Sequence, residues 1–426
     1  MSASFLVEYF FSEIRYLWGQ ATVIMCMPLT PRQKDIIDRK KAALDEALRR
    51  QPLKDYFEGW YHVTLNTRGG APTCGYVVGD AEAADGSADA PRVVLSELGK
   101  GVDAVWKSVH KYHPCATVEA WVVMPEHTHA LIHMRQVSGA KREHLGQVIN
   151  GFMIGCTHAY WDVLGIDWRN MPGRDEGGRG IPRKYTDSLH MRSFRGPALF
   201  VRGYNDVEAI TPEQVDIKRQ YIRNNPRKRL ITQSRPDRFH IHRNGHSANW
   251  TMERAMAAIA ADRWIGRDPA KCRQLQENIR ARLNPSMAID YLGNRQLLAA
   301  GRKVSLICHR DDLPLFEQQK RAVLQAAREG AVVVSAFISP RERDIMKQLM
   351  AEQLPFVQIM DNGFPDRYHP AGKAFYSVAE SRHVQLSCWT YRYQPFDADS
   401  PLSREMCLVM NELARLISGV DDRWWK

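Results

Sequence analysis

Met124-Pro125-Glu126-His127-Thr128-His129 sets two imidazoles two residues apart. If a strand begins at His127, its period of two puts His127 and His129 on one face, about 7 Å apart along the chain. Two imidazoles at that spacing can converge on one divalent cation. The spacing also fits two ordinary sheet residues, the commoner case for an arbitrary H-x-H. His133 shares the face but lies two steps further along. A second group is Gln220-Tyr221-Ile222-Arg223-Asn224-Asn225-Pro226, where Tyr221 and Asn225 are one helical turn apart. A tyrosine phenol, with an unperturbed pKa of about 10, is a poor nucleophile near neutrality. It becomes useful where a metal and a positive field stabilise its phenolate and the phosphate it attacks. The field is present: nine basic residues, Lys218, Arg219, Arg223, Arg227, Lys228, Arg229, Arg235, Arg238 and Arg243, face only Asp216 and Asp237 in that stretch. Taken alone, the segment reads as a solvated basic helix with a half-buried tyrosine.

The elements that must position these residues are legible in the pattern. Pro28 to Arg50 reads as an amphipathic helix. Trp60 to Asn66 alternates and is β-branched, which favours a strand. Thr67 to Ala90 is loop-like around a short strand from Gly75 to Val78. Ser96 to Tyr112 has helical spacing, and Ala116 to Met124 and His127 to Met134 read as strands joined at Pro125. Leu145 to Leu164 has the period of a buried helix, and the Gly-rich stretch from Gly173 to Pro182 reads as a mobile loop. Thr211 to Asn225 reads as a helix begun by Thr211-Pro212-Glu213 and stopped at Pro226. This order predicts an α+β fold, with helices on an antiparallel sheet. Trp250 to Arg282 is helical and basic, a connector. From Lys303 onward short apolar runs alternate with helical stretches, which argues for a parallel, doubly wound α/β sheet. The expected domains are 1–50, 51–240, 241–295 and 296–426.

Composition bounds the function. The 426 residues are 44% hydrophobic and 25% charged, ordinary globular usage that excludes a disordered chain or a coiled-coil rod. With 59 Lys and Arg against 48 Asp and Glu, the net charge of +11 biases the chain toward polyanions, most often nucleic acid. Eight cysteines are scattered singly with no C-x-x-C, so neither a zinc ribbon nor a redox pair is supported, and reduced thiols in the cytoplasm are expected. No apolar run approaches the roughly 20 residues needed to cross a bilayer. The apolar stretch from Phe5 to Met25 is broken by Glu8, Glu13 and Arg15 and lacks the order of a signal peptide; Met25 or Met27 offers an alternative start.

Together, the Met-Pro-x-His-x-His strand and the later Tyr-Ile-x-x-Asn-Pro helix resemble the REP-associated tyrosine transposases. These belong to the HUH superfamily of single-strand transposases and replication-initiator nucleases. Tyr61-His62-Val63-Thr64, Trp121-Val122-Val123-Met124-Pro125 and Phe200 to Asp206 add to the likeness, which covers roughly residues 55 to 240. The resemblance implies an antiparallel-sheet HUH (ferredoxin-like) domain in which His127, His129 and Asn225 bind Mg²⁺ or Mn²⁺. Tyr221 would be the nucleophile that cleaves single-stranded or hairpin DNA through a 5′-phosphotyrosine. Lys218, Arg219, Arg223, Arg227, Lys228 and Arg229 would contact DNA, and related transposases work as dimers. Two other readings stay open: a domesticated DNA-binding regulator that does not cut, and a nucleotide sensor.

The last reading concerns the C-terminal half. Asp290 to Leu298, Arg310, Ser335-Ala336-Phe337-Ile338-Ser339 and Asp361-Asn362-Gly363-Phe364 resemble the Rossmann-like DNA-processing protein A and lysine-decarboxylase-like families. Ser339-Pro340-Arg341-Glu342 has the form of a helix start, with Ser339 as N-cap. Arg310, Ser339, Arg341, Asn362 and Gly363 are the expected phosphate or nucleotide contacts there. No G-x-G-x-x-G or Walker A motif is present, so ATP hydrolysis and dinucleotide redox chemistry are not supported. Aromatics from Tyr368 to Trp425, interleaved with Arg382 and Arg392, could stack on bases, though core positions are the commoner use.

Overall fold

The computed structural model describes residues 56–70, 73–139, 142–169, 197–246, 249–308, 312–366, 368–392 and 402–426. The helix expected over 28–50 and the loop over 173–182 lie outside them.

Strand β1 (Gly59–Asn66) alternates cleanly: Tyr61, Val63 and Leu65 are buried on one face, leaving Trp60, His62, Thr64 and Asn66 on the other. It is followed by a short antiparallel pair, β2 (Gly75–Val78) and β3 (Arg92–Leu95). Helix α1 (Glu97–Tyr112) is capped by Ser96, whose side chain accepts a hydrogen bond from the Gly99 amide. Next come β4 (Ala116–Val123), β5 (His127–Met134), α2 (Leu145–Val163) and β6 (Asn205–Ala209). The four long strands form an antiparallel sheet in the order β4-β5-β1-β6. Its inner face meets α1 and α2 through Tyr61, Val63, Ala130 and Ile132, with Trp106 and Phe152 stacked at 3.6 Å. Thr128, between the two histidines, points into that core and accepts a hydrogen bond from Trp106 Nε1 at 2.9 Å. The opposite face is thereby left to His127 and His129.

One helix covers part of that second face. Helix α3 (Pro212–Arg223) begins with a capping box between Thr211 and Gln214, and its Val215 and Ile222 pack with Leu131 and Ala209. After Asn224 the chain restarts as α4 (Asn225–Ser234), followed by the short α5 (Pro236–Phe239).

A second sheet has six strands: β7 (His242–His246), β8 (Ile289–Gly293), β9 (Lys303–Ser305), β10 (Val332–Ser335), β11 (Phe356–Ile359) and β12 (His383–Ser387). Its helices are α6 (Met252–Ala260), α7 (Pro269–Arg280), α8 (Leu313–Arg328), α9 (Pro340–Ala351), α10 (Gly372–Ala379) and α11 (Arg404–Ser418). The strand order is β7-β8-β12-β11-β10-β9, with β9 to β12 parallel and β8 and β7 antiparallel. The parallel strands are sequential neighbours, so successive right-handed crossovers need not change face. Helices α8 and α9 pack with Val304, Val333 and Phe356, whereas α6, α7 and α11 pack with Val332, Val334 and Val357 on the other side. The expected doubly wound order is therefore corrected: no reversal occurs among the parallel strands. The stretch expected to be a helical connector also contains β7 and β8. Asp290 disguises β8, being a buried carboxylate compensated by Arg243 at 2.8 Å and by the Asn244 amide at 2.8 Å.

Residues 55–426 form one unit. Within it, Ile231 and Phe239 pack against Phe375, Val378 and Ala379 of α10, with the Phe239 and Phe375 rings 4.7 Å apart. No described helix is long and apolar enough to cross a membrane.

Candidate active site

The site is assembled by strand register. Thr64 of β1 lies opposite His129 of β5, Asn66 opposite His127, and His62 opposite Leu131, so all of them share the face turned away from α1 and α2. The His127 and His129 ring centroids are 4.7 Å apart, and those of His62 and His129 are 5.1 Å apart. Helix α3 crosses this face and, with Ile222 anchored in the apolar cluster beneath, delivers Tyr221 beside the imidazoles. Its ring meets His129 edge-on at 5.3 Å and His62 at 5.4 Å. Residues 92 positions apart in sequence, Tyr221 and His129, are thus neighbours in space.

Each imidazole has one nitrogen committed. His129 Nδ1 is 2.9 Å from Thr64 Oγ1 and 3.2 Å from His62 Nε2. His127 Nδ1 stands 3.4 Å from Glu126 Oε1, which also accepts a hydrogen bond from Arg229 Nη1 at 2.9 Å. The Nε2 atoms of His127 and His129 take no hydrogen bond from the described residues. Burial holds His129 well below the ordinary histidine pKa, and burial with the nearby Lys218 charge lowers His62 to about 4. The hydrogen bond from His127 keeps the Glu126 carboxyl below its usual value. The His62 and His129 rings are therefore neutral near pH 7, the form in which an imidazole can ligate a metal. A carboxylate or hydroxyl on Nδ1 is the outer support that ligating histidines need. Among the described residues no three His, Cys, Asp or Glu side chains gather as a metal-holding group. His127 and His129 are thus the two imidazoles that this face could offer a divalent cation, one side chain short of such a group.

The third expected ligand, Asn225, stands at the start of a new helix. Helix α3 ends at Arg223, and Asn225 is the first residue of α4, where Pro226 can follow because its missing N–H is not needed in a first turn. That break takes Asn225 off the straight helix on which it would lie one turn from Tyr221. Its side chain is buried and makes no hydrogen bond to an imidazole among the described residues.

The six expected DNA contacts divide. Arg219 pairs with Asp216, Arg229 with Glu126, and Arg227 with the Ala81 carbonyl, the Ala83 carbonyl at 2.7 Å and Asp85 at 2.6 Å. Arg223 is exposed and pairs with no described residue. Lys218 and Lys228 are half-buried, and desolvation lowers the pKa of each ammonium below the ordinary lysine value. Neither meets a carboxylate among the described residues. Lys228 Nζ lies 4.6 Å from the Tyr221 ring centroid. Two desolvated cations without counter-ions beside a tyrosine make a site suited to an incoming anion.

In the second sheet, Ser339, Arg341 and Asn362, three of the expected phosphate contacts, have partners within the fold. Ser339 caps α9 by accepting the Glu342 amide, while Glu342 carboxylate oxygens accept the Ser339 and Cys308 amides at 2.9 Å each. A buried carboxylate thus occupies the positive end of the helix where a phosphate would sit. Arg341 lies over the Phe316 ring at 4.9 Å. Asn362 donates to the Arg392 carbonyl at 2.7 Å and accepts the Arg392 amide at 3.0 Å. Arg310 lies outside the described residues. Of the aromatics, Phe375, Trp389 and Trp425 are buried. At Gly363 a Cβ would collide with the Tyr391 nitrogen and the Trp389 carbonyl, both backbone. Gly363→Ala is expected to destabilise the chain by about 2 kcal/mol, read as a lower denaturant midpoint with an unchanged slope.

Sequence reasoning singled out His127, His129 and Tyr221 but passed over His62, Thr64 and Glu126 as site residues. The signal for the first two was the alternation of β1, which sets them on one face. Which strand that face joins was not visible.

No family model and no curated protein matches the chain. Among solved structures, it is similar to a REP-associated tyrosine transposase bound to a REP hairpin, at 14% identity and a TM-score of 0.25, over 42% of this chain and 74% of that one. It is also similar to DNA processing protein A from Helicobacter pylori, described for its single-stranded DNA binding mode. That likeness has 18% identity and a TM-score of 0.23, over 31% of this chain and 57% of that one. Overlaps this slight carry no argument about function, which rests on the site itself.

Proposed function

We propose that this chain is a metal-dependent tyrosine nuclease and strand transferase acting on single-stranded or hairpin DNA. The supporting observation is the convergence of the Tyr221 ring with His129 and His62, beside His127 and two ammoniums that meet no carboxylate among the described residues. His127 and His129 would hold Mg²⁺ or Mn²⁺, which when bound would polarise a non-bridging oxygen of the scissile phosphate. Tyr221 loses its phenol proton to solvent and its oxygen attacks phosphorus. The bond to the 3′ oxygen breaks, that oxygen takes up a proton, and a 5′-phosphotyrosine remains. The phosphodiester energy is kept in this link, so a 3′-hydroxyl can reverse the step on another strand. Lys218 and Lys228 neutralise the phosphate that enters, and exposed Arg223 extends the positive field along the backbone.

Incubation with labelled hairpin oligonucleotides and Mn²⁺ is expected to give a denaturation-resistant shifted band. Salt-sensitive hairpin binding without such a band would favour the second reading, a DNA-binding regulator that does not cut. The two-imidazole donor set, with Asn225 off the helix of Tyr221, is the observation that favours that alternative.

Glu126 and its partner Arg229 orient His127 in this account. Glu126→Gln is expected to weaken Mn²⁺ binding by about tenfold, measured by titration with the metal alone. Equal affinities would remove Glu126 from the site.

A further inference from the structure

Lys228 is held from three sides by rings. Its Nζ lies 4.6 Å from the Tyr221 centroid, 5.1 Å from that of Phe375 and 5.9 Å from that of Tyr376. Two of those rings belong to α10, a crossover helix of the six-stranded sheet, some 150 residues beyond the tyrosine. They are fixed there: Phe375 stacks on Phe239 at 4.7 Å, Tyr376 meets Phe375 edge-on at 5.4 Å, and Arg235 of the chain after α4 donates to the Ala379 carbonyl at 3.1 Å. An aromatic cage is a known way to hold a desolvated cation, because each ring face attracts it without neutralising it. A carboxylate would hold Lys228 equally well but would cancel its charge and repel a phosphate. The rings keep the charge available.

We infer that α10 supplies two walls of a cage that aims the Lys228 ammonium at the phosphate attacked by Tyr221. The half of the chain built on the six-stranded sheet is then part of the reaction site. Lys228 is the phosphate-binding residue, while Phe375 and Tyr376 are positioning residues that act through it. The inference rests on the proposed tyrosine chemistry and adds to it a contribution from the second sheet.

The test is a double-mutant cycle on the full chain, scored by the rate of adduct formation with a hairpin oligonucleotide and Mn²⁺. Lys228→Met and Tyr376→Leu are each expected to lower kcat by about tenfold, with KM within about twofold in Tyr376→Leu, which keeps the cation. The Tyr376→Leu/Lys228→Met double variant should be no slower than Lys228→Met alone, because the cage has nothing left to aim. Lys228→Arg, which keeps a cation in the cage, should recover much of the rate. Phe375→Leu also loosens the joint with Phe239, so its rate counts only beside an unchanged melting temperature, and half-exposed Tyr376 is the deciding position. Additive losses in the double variant, or an unchanged rate in Tyr376→Leu, overturn the inference while leaving the tyrosine chemistry intact. A native chain that forms no adduct removes both together.

Discussion

Tyr221→Phe is expected to abolish the covalent DNA–protein adduct while hairpin binding persists. The substitution removes one oxygen and leaves a ring that can still meet His129 and His62 edge-on and still lie beneath Lys228. Ile222, which anchors α3 in the apolar cluster, is untouched. Affinity for DNA comes from the cations around the site, so the dissociation constant should change by less than about threefold. The covalent step has no other oxygen nucleophile at this position, and its rate should fall by at least about a thousandfold. An adduct that survives the change would take Tyr221 out of the mechanism.

His383→Leu should flatten the dependence of stability on pH below neutrality. His383 opens β12 with no solvent exposure, its ring stacked on Phe356 at 4.1 Å, and burial pushes its pKa down from 6.5 to about 3. The folded value lies below the unfolded one. Stability from the neutral ring is therefore fully present above pH 6.5 and is lost as pH falls toward 3, because only the unfolded chain takes up the proton. Below pH 6 the loss is about 1.4 kcal/mol per pH unit, a large slope against a typical total of about 5–15 kcal/mol. Leucine fills a similar volume and cannot be protonated. Urea unfolding at pH 7, 6, 5 and 4.5 should show the native chain losing stability more steeply than the variant by that amount per unit. Parallel slopes would mean that His383 is protonated in the folded state.

The parts of this arrangement visible in the sequence are those set by local periodicity. His127 and His129 share a face because Thr128 between them points into the core, and a period of two is readable from three residues. Helix α3 was readable from Thr211-Pro212 at its start. His62 was not readable as a site residue, because its place depends on β1 pairing with β5 across 67 residues of sequence. The break at Asn224 was half visible: Pro226 marks a boundary, but a new helix can start one residue before it, as Asn225 does. Ser339 shows the converse. Its capping box was legible, but not that the Glu342 carboxylate closing the box would also accept the amide of Cys308, 34 residues away. The role of Lys228 was hidden for a third reason. Composition marks it as one cation among nine, and only the packing of α10 against α4 distinguishes it from the rest.

The central claim is that the phosphate becomes bonded to one particular phenol, and locating the attachment point tests it most directly. The adduct formed with a hairpin oligonucleotide and Mn²⁺ would be trimmed with nuclease, digested with trypsin and sequenced by mass spectrometry. Cleavage after Arg219 and Arg223 releases Gln220-Tyr221-Ile222-Arg223, and this peptide is expected to carry the nucleotide phosphate on Tyr221. A phosphate bonded to any other residue, or an adduct-free protein after full incubation, would contradict the account.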